Sequence, residues 1–217
     1  MNYQFLANTR LFRGISVDEL EKMLTCFSVQ TRQYEKGSLI LRAGQTVSAI
    51  GLVLSGNITI ENNDLWGNRT VMDRLGAGAI FAESYALTPE EILMVDIVAN
   101  EPTEVLLLQT RAILNPCQKS CYSHRALLGN LLAISSQKNL HMSRHILHTS
   151  PKTIRGRLLS YLSFFAQKEG NYEFDIPFDR QQLADYLTPE ERGKNCDNKR
   201  HCKGSRIFRR YSLKGTE

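Results

Sequence analysis

The sequence predicts an α+β protein in which a roll of short strands is followed by one long helix and then by shorter helices. Short apolar runs separated by Gly and Asn between residues 27 and 108 are typical of a sandwich, barrel or jelly roll. Apolar residues recur at three- and four-residue steps from Cys121 to about Leu147, which predicts a helix of ~40 Å. Helical spacing then resumes in shorter pieces.

Composition indicates an ordinary folded protein. The chain has 217 residues, of which 42% are hydrophobic and 23% charged, enough for one large or two modest domains. Five scattered cysteines are an odd number and favour reduced thiols over a disulfide framework. The first residues lack a signal-peptide pattern, and no run of about 18 apolar residues occurs, so we expect a cytoplasmic protein with no membrane partner.

The positive charge is concentrated at the C-terminus. Residues 188–217 contain nine Lys or Arg and four Asp or Glu, whereas the preceding residues balance at eighteen of each. A basic segment on a neutral body predicts an anionic partner, with nucleic acid favoured over a membrane surface.

The elements follow one another in a clear order. Ser16 and Glu19 form a capping-box pattern before a helix over residues 17–24. The runs that predict strands are 38–41, 50–54, 57–60, 70–72, 79–81, 94–98 and 105–108.

The C-terminal part begins after a break at Ser150-Pro151. The spacing predicts a helix over residues 153–168 that Gly170 ends, an extended segment over 173–178, and a short helix to Leu187 with Asp179 as its N-cap.

Three segments in this order resemble the cyclic-nucleotide-binding β-roll of the Crp/Fnr family of bacterial transcription regulators. They are Tyr34-Glu-Lys-Gly37, Leu52-Val-Leu-Ser-Gly56 and Leu75-Gly-Ala-Gly-Ala-Ile-Phe-Ala-Glu-Ser84. The long helix stands where that family dimerises, and residues 177–187 look like the first helix of its helix-turn-helix. The resemblance implies a β-roll sensor domain (a double-stranded jelly roll) over 1–120, a dimerisation helix over 121–148 and a winged helix-turn-helix domain over 149–217.

The function implied is that of a homodimeric regulator that binds double-stranded DNA in response to a small-molecule effector. The predicted dimer interface is the apolar stripe of the long helix: Leu128, Leu131, Leu132, Leu140, Met142 and Ile146. The resemblance names neither the effector nor a cofactor.

The predicted effector pocket lies in the third segment and comprises Gly76, Gly78, Phe81, Ala82, Glu83 and Ser84. In relatives that bind a cyclic nucleotide, a Glu contacts the ribose, and an Arg with a Ser or Thr contacts the phosphate. Glu83 matches that Glu, but Leu93 and Met94 stand where the Arg and the hydroxyl residue would fall. A buried phosphate needs a cation or several donors, so we predict that cyclic AMP is not the ligand.

The predicted DNA contacts are Arg180 and Gln181, with phosphate contacts from Arg192, Lys194, Lys199 and Arg200. The family's recognition helix should follow Leu187, yet no aliphatic residue occurs before Ile207, so a helix there would have no face to bury. The helix-turn-helix is therefore incomplete or degraded. Either the segment is a basic arm that grips phosphates, or a frameshift has replaced the family sequence, a hypothesis that translation in the other two frames tests. In the second case the chain is a sensor and dimerisation module that binds DNA weakly or not at all.

Two further readings concern metals and catalysis. Cys117-x3-Cys121-x2-His124 is a weak candidate for a metal or thiol redox sensor, and we favour thiols packed in the interior, with no metal. His141, His145 and His148 share a helix face, which we interpret as solvated.

Every His lies at 124 or later, which excludes a cupin-type metal site, and the usual hydrolase, P-loop and zinc-protease motifs are absent. We therefore predict that the protein is not an enzyme.

Overall fold

The computed structural model describes residues 1–27, 29–64, 66, 69–88, 90–115, 122–171, 174, 176, 178 and 180–187. The chain divides into two compact units, Met1–Gln137 and Lys138–Glu217, with the division inside the longest helix. Fold class is confirmed for the N-terminal unit, which is an eight-stranded β-roll with short helices. None of the described helices is both long and apolar enough to cross a membrane.

The roll consists of two four-stranded antiparallel sheets. The first has the strand order β1-β8-β3-β6 and the second β2-β7-β4-β5. The strands are β1 Gln30–Tyr34, β2 Leu39–Leu41, β3 Ala49–Ser55, β4 Asn57–Asn63, β5 Arg69–Gly76, β6 Ile80–Phe81, β7 Asp96–Ala99 and β8 Thr103–Gln109. All seven predicted strands are present, and β1 was not predicted.

Alternating side chains of the first sheet feed two separate cores. On β3, Ile50 and Leu52 belong to a core shared with the helices, called the helix-side core below. Val53 instead packs with Ile58 and Ile97 between the two sheets. Successive strand residues point to opposite faces, so a single strand can serve both cores. The helices that cover the first sheet are α1 Tyr3–Ala7, α2 Val17–Cys26 and α4 Thr110–Leu114, while α3 is the short helix Glu83–Leu87.

The capping box predicted before α2 is confirmed. The Glu19 backbone N–H donates to Ser16 Oγ at 3.4 Å, and the Ser16 backbone N–H donates to Glu19 Oε2 at 3.3 Å. These contacts satisfy N–H groups that a helix start otherwise leaves unpaired, which fixes where α2 begins.

The long helix is α5, Tyr122–Thr149, one continuous element of 28 residues as predicted. Its first turns are part of the N-terminal unit: Leu127 and Leu131 are buried in the helix-side core, and Asn130 Nδ2 donates to the carbonyls of Leu11 at 3.0 Å and Arg13 at 2.8 Å. Leu131 was predicted in the dimer interface. It lies in the core of its own chain instead, because helical spacing does not distinguish an internal contact from an external one.

The C-terminal unit has its own core. Helices α6, Ile154–Glu169, and α7, Arg180–Leu187, pack through Leu158, Tyr161, Leu183 and Leu187. Gly170 ends α6 in the left-handed conformation with φ 64°, as the sequence predicted. The N-cap at Asp179 and most of the extended segment 173–178 lie outside the described residues.

An aromatic cluster fills the second core around His148. The side chain of His148 is 1% exposed, and its ring lies 5.3 Å from that of Tyr161 and 5.2 Å from that of Phe164, centroid to centroid. The expectation of a solvated face is therefore wrong for His148. His145 Nε2 lies 3.1 Å from the Tyr186 carbonyl oxygen, which joins α5 to α7.

Candidate functional site

The predicted effector segment begins with a tight turn attached to β3. The Gly78 N–H donates to the Val53 carbonyl at 2.8 Å, and the Val53 N–H donates to the Ala79 carbonyl at 3.0 Å. Gly78 has φ +84°, a conformation that glycine adopts without steric cost. Backbone hydrogen bonds thus fix the turn from Gly76 to Ala79 against the first sheet.

Phe81 is part of the core. It is fully buried between the sheets, and its ring occupies the space where a Cβ on Gly51 would stand. Gly51 and Phe81 are paired across β3 and β6. Phe81 was predicted in the pocket, and the structure gives it a packing role that positions the residues after it.

The corner at Ala82 directs the chain into α3. Ala82 has φ 59°, and its carbonyl accepts from the Ala86 N–H at 2.9 Å. A residue with a Cβ seldom adopts this left-handed conformation, and such positions are concentrated at binding sites. The corner leaves Glu83 4% exposed and Ser84 exposed.

Leu93 and Met94 stand where relatives carry the Arg and the hydroxyl residue, and the two side chains differ strongly in burial. Leu93 is 1% exposed, its N–H donates to the Gln45 carbonyl at 2.9 Å, and its carbonyl accepts from the Gly44 N–H at 2.8 Å. Met94 is 72% exposed. Neither side chain can donate a hydrogen bond or neutralise a phosphate.

A polar network on the second sheet was not predicted from the sequence. Arg69 Nε donates to Glu61 Oε2 at 2.6 Å, Asn63 Nδ2 donates to Asp96 Oδ2 at 2.9 Å, and the Ala43 N–H donates to Asp96 Oδ1 at 2.8 Å. The backbone N–H of Ala43 and the Asn63 amide together hold the pKa of Asp96 below its usual value. Arg69 is thus engaged within the β4–β5 hairpin.

From Leu132 onward, α5 carries an exposed apolar face. Leu132 is 69% exposed, and Leu140, Met142 and Ile146 are each more than half exposed, whereas Leu128 is partly buried against the helix-side core. Leu147, which was not predicted, is exposed as well. Exposed apolar side chains that share one face of a helix mark a place for a partner.

Most of the residues predicted to contact DNA lie outside the residues that the structure describes. Arg180 and Gln181 are the first residues of α7, but the described part of the chain excludes their side chains. Arg192, Lys194, Lys199 and Arg200 lie beyond the described residues altogether.

Of the weak metal candidates, only His124 is described. It is buried, with Nε2 2.8 Å from the Ile113 carbonyl oxygen and its ring edge-on to Phe27 at 5.1 Å. Cys117 and Cys121 lie outside the described residues. Within the described ranges, no group of three His, Cys, Asp or Glu could hold a metal ion. His124 connects α5 to the end of α4.

Comparison with known proteins agrees with the geometry of the roll. Residues 31–120 match the family model described as "Cyclic nucleotide-binding domain". Over 98 residues the chain is 34% identical to the "Cyclic AMP receptor protein" of Thermus thermophilus, a match that spans 45% of this chain and 44% of that relative.

Solved structures show the same fold. The crystal structure of the Thermus thermophilus catabolite activator protein aligns with a TM-score of 0.52 at 21% identity, over 82% of this chain and 80% of that one. A cyclic nucleotide-binding domain from Methylobacillus flagellatus aligns with a TM-score of 0.56 at 19% identity, over 67% of this chain and 80% of that one. Residues 31–120 therefore form a domain similar to the cyclic nucleotide-binding domain, with the fold of the Thermus thermophilus catabolite activator protein.

Proposed function

We propose that the protein is a homodimeric, effector-responsive transcription regulator of the Crp/Fnr type that binds double-stranded DNA. The observation that carries the proposal is the continuity of α5, which starts in the core of the sensor roll and runs without a break into a helical unit followed by basic sequence. An effector that binds one conformation of the roll better than another shifts the population of dimer states. The similarity of residues 31–120 to the cyclic AMP receptor protein of Thermus thermophilus supports this type of regulator.

Dimerisation is proposed through the exposed apolar face of α5. Leu132, Met142 and Ile146 are each more than 60% exposed. Pairing with a second copy would remove this surface from water, which stabilises the pair by roughly 25 cal/mol per Å² of apolar area. Leu131 is excluded from the interface, because it is buried in its own chain.

The effector is proposed to be a molecule other than cyclic AMP. Leu93 and Met94 supply no phosphate contact, while the Gly76–Ser84 segment keeps the turn, the strained corner at Ala82 and the buried Glu83. Without a cation at Leu93 or Met94, the segment favours a ligand that carries no phosphate.

The DNA-binding function is tested by selecting binders from a random double-stranded library with the purified full chain at low and physiological salt. A dimer should enrich a two-fold symmetric site whose half-sites are about 10 base pairs apart. Arg180→Ala should lower affinity for that site by about fivefold or more. Arg32→Ala, which removes the same charge from strand β1, should leave it unchanged.

A second candidate is a sensor and dimerisation module without sequence-specific DNA binding. It is favoured by the lack of any aliphatic residue from 188 to 206, where the family places its recognition helix. A selection that enriches no sequence from a chain that is nonetheless dimeric supports this second candidate and refutes the first.

A further inference from the structure

The exposed apolar face of α5 has a polar residue at its centre. Seven-residue steps separate Leu132, Asn139 and Ile146, so the three side chains follow one line along the helix. With about 100° per residue, Asn139 lies within roughly 20° of Leu132 around the helix axis. Exposed or half-exposed apolar residues border this line on both sides: Leu128 and Met142 on one, Leu140 and Leu147 on the other.

The Asn139 side chain is only partly used within its own helix. Its Oδ1 accepts from Ser143 Oγ, one turn further on, at 3.4 Å. An Asn amide also carries two N–H donors, and these donate to no described residue. The side chain is exposed, so solvent serves them in a single chain.

Covering this face with apolar side chains would leave those donors without water. A buried amide without a hydrogen-bond partner is costly, so the arrangement that covers the face must also satisfy Asn139. In a parallel two-stranded pair without a shift, residues of this line meet their own copies at the same height, and Asn meets Asn. A shift by one heptad would place Asn139 against Leu132 or Ile146 and leave the amide unpaired.

We propose that Asn139 sets the orientation and register of the homodimer by pairing with Asn139 of a second copy. The inference rests on the proposed dimerisation through α5 and adds a specific residue to it. A polar pair in an apolar seam lowers the stability of the dimer, but it favours one parallel alignment over the others.

Opposite charges at this position give a direct test. Asn139→Asp and Asn139→Lys are each made in the full chain, and their dimer dissociation constants are measured by analytical ultracentrifugation. The dimer dissociation constant of each variant alone should be about tenfold higher than that of wild type, or more, because like charges then face each other. An equimolar mixture should recover dimerisation, since the heterodimer pairs Asp with Lys.

The matched controls are His141→Asp and His141→Lys, which lie two residues away on the opposite side of the helix and are exposed in the wild type. These should dimerise as wild type, and mixing them should change nothing. A dimeric wild type whose Asn139 variants show no recovery on mixing refutes the self-pairing of Asn139 and leaves the proposed dimer intact. A wild type that is monomeric refutes both.

Discussion

The ring of Phe81 occupies the space that a Cβ on Gly51 would need. The two residues pair across strands β3 and β6, and both are buried. Gly51→Ala should therefore displace the ring or the strand and destabilise the N-terminal unit by about 1–3 kcal/mol. Urea denaturation followed by circular dichroism measures the change.

The matched control is Gly76→Ala. Gly76 has an ordinary φ, and an added Cβ there would meet nothing within 4 Å, so stability should change by less than about 0.5 kcal/mol. Equal stabilities of the two variants would contradict the close packing of Phe81 on Gly51.

Leu93 and Met94 are adjacent but differ in burial, at 1% and 72% exposed. Leu93→Arg, which restores the family's residue, should lower the free energy of unfolding by about 3 kcal/mol or more, because it removes a buried side chain and inserts a charge. Met94→Arg should change it by less than about 0.5 kcal/mol. A Leu93→Arg protein as stable as wild type would show that this position opens onto a polar pocket.

The stability of the C-terminal unit should depend on pH through His148. Burial, and secondarily the charges of His145 and Arg144, hold the pKa of His148 below 6.5, and Nδ1 donates to or accepts from no described residue. As pH falls, the unfolded chain binds a proton at this histidine near pH 6.5, before the folded chain does. The neutral His148 side chain therefore contributes its full share of folding stability above pH 6.5, and that stability is lost as pH falls through the lower pKa of the folded state.

Thermal unfolding followed between pH 7.5 and 5 checks this effect. His148→Phe should reduce the fall in stability over that interval, because Phe suits a site formed by Tyr161, Phe164 and Tyr186 and does not titrate. His141→Phe, at an exposed position, should leave the pH dependence as in wild type. An unchanged slope in His148→Phe would assign the titration to other groups.

Cyclic AMP should not stabilise the protein. A ligand that binds only the folded state raises the unfolding temperature, and the rise grows with the logarithm of ligand concentration above its dissociation constant. The absence of a cation and a hydroxyl at Leu93 and Met94 predicts no shift of the melting temperature at millimolar cyclic AMP. An unfolding temperature that rises with cyclic AMP concentration would contradict the prediction that cyclic AMP is not the ligand.

Strong periodicity made most of the fold predictable. The seven apolar strands, the capping box of α2 and the length of α5 all follow from local sequence patterns. Strand β1 has mostly exposed polar residues and gives no such pattern, since backbone pairing with β8 holds it in place. Helix α3 begins at the left-handed Ala82 without a side-chain cap, so its start carries no sequence signal.

The burial of residues around the candidate site was less predictable, because helical spacing does not show which face of a helix is covered. Leu131 and Leu132 both fit a helical stripe, but only the fold shows that Leu131 is covered by the chain's own core. His148 fits a polar stripe and is nevertheless buried among aromatic rings. The polar centre at Asn139 could have been found from its seven-residue spacing to Leu132 and Ile146, provided the covered side of α5 was known.

The most direct test of dimerisation through α5 is sedimentation equilibrium of the full chain over a range of concentrations, beside Leu132→Glu. The account predicts twice the chain mass of 24.7 kDa for the wild type and a much weaker association for Leu132→Glu, in which two carboxylates would meet in an apolar seam. A wild-type mass of 24.7 kDa at every concentration, or a variant that associates as tightly as wild type, would contradict it.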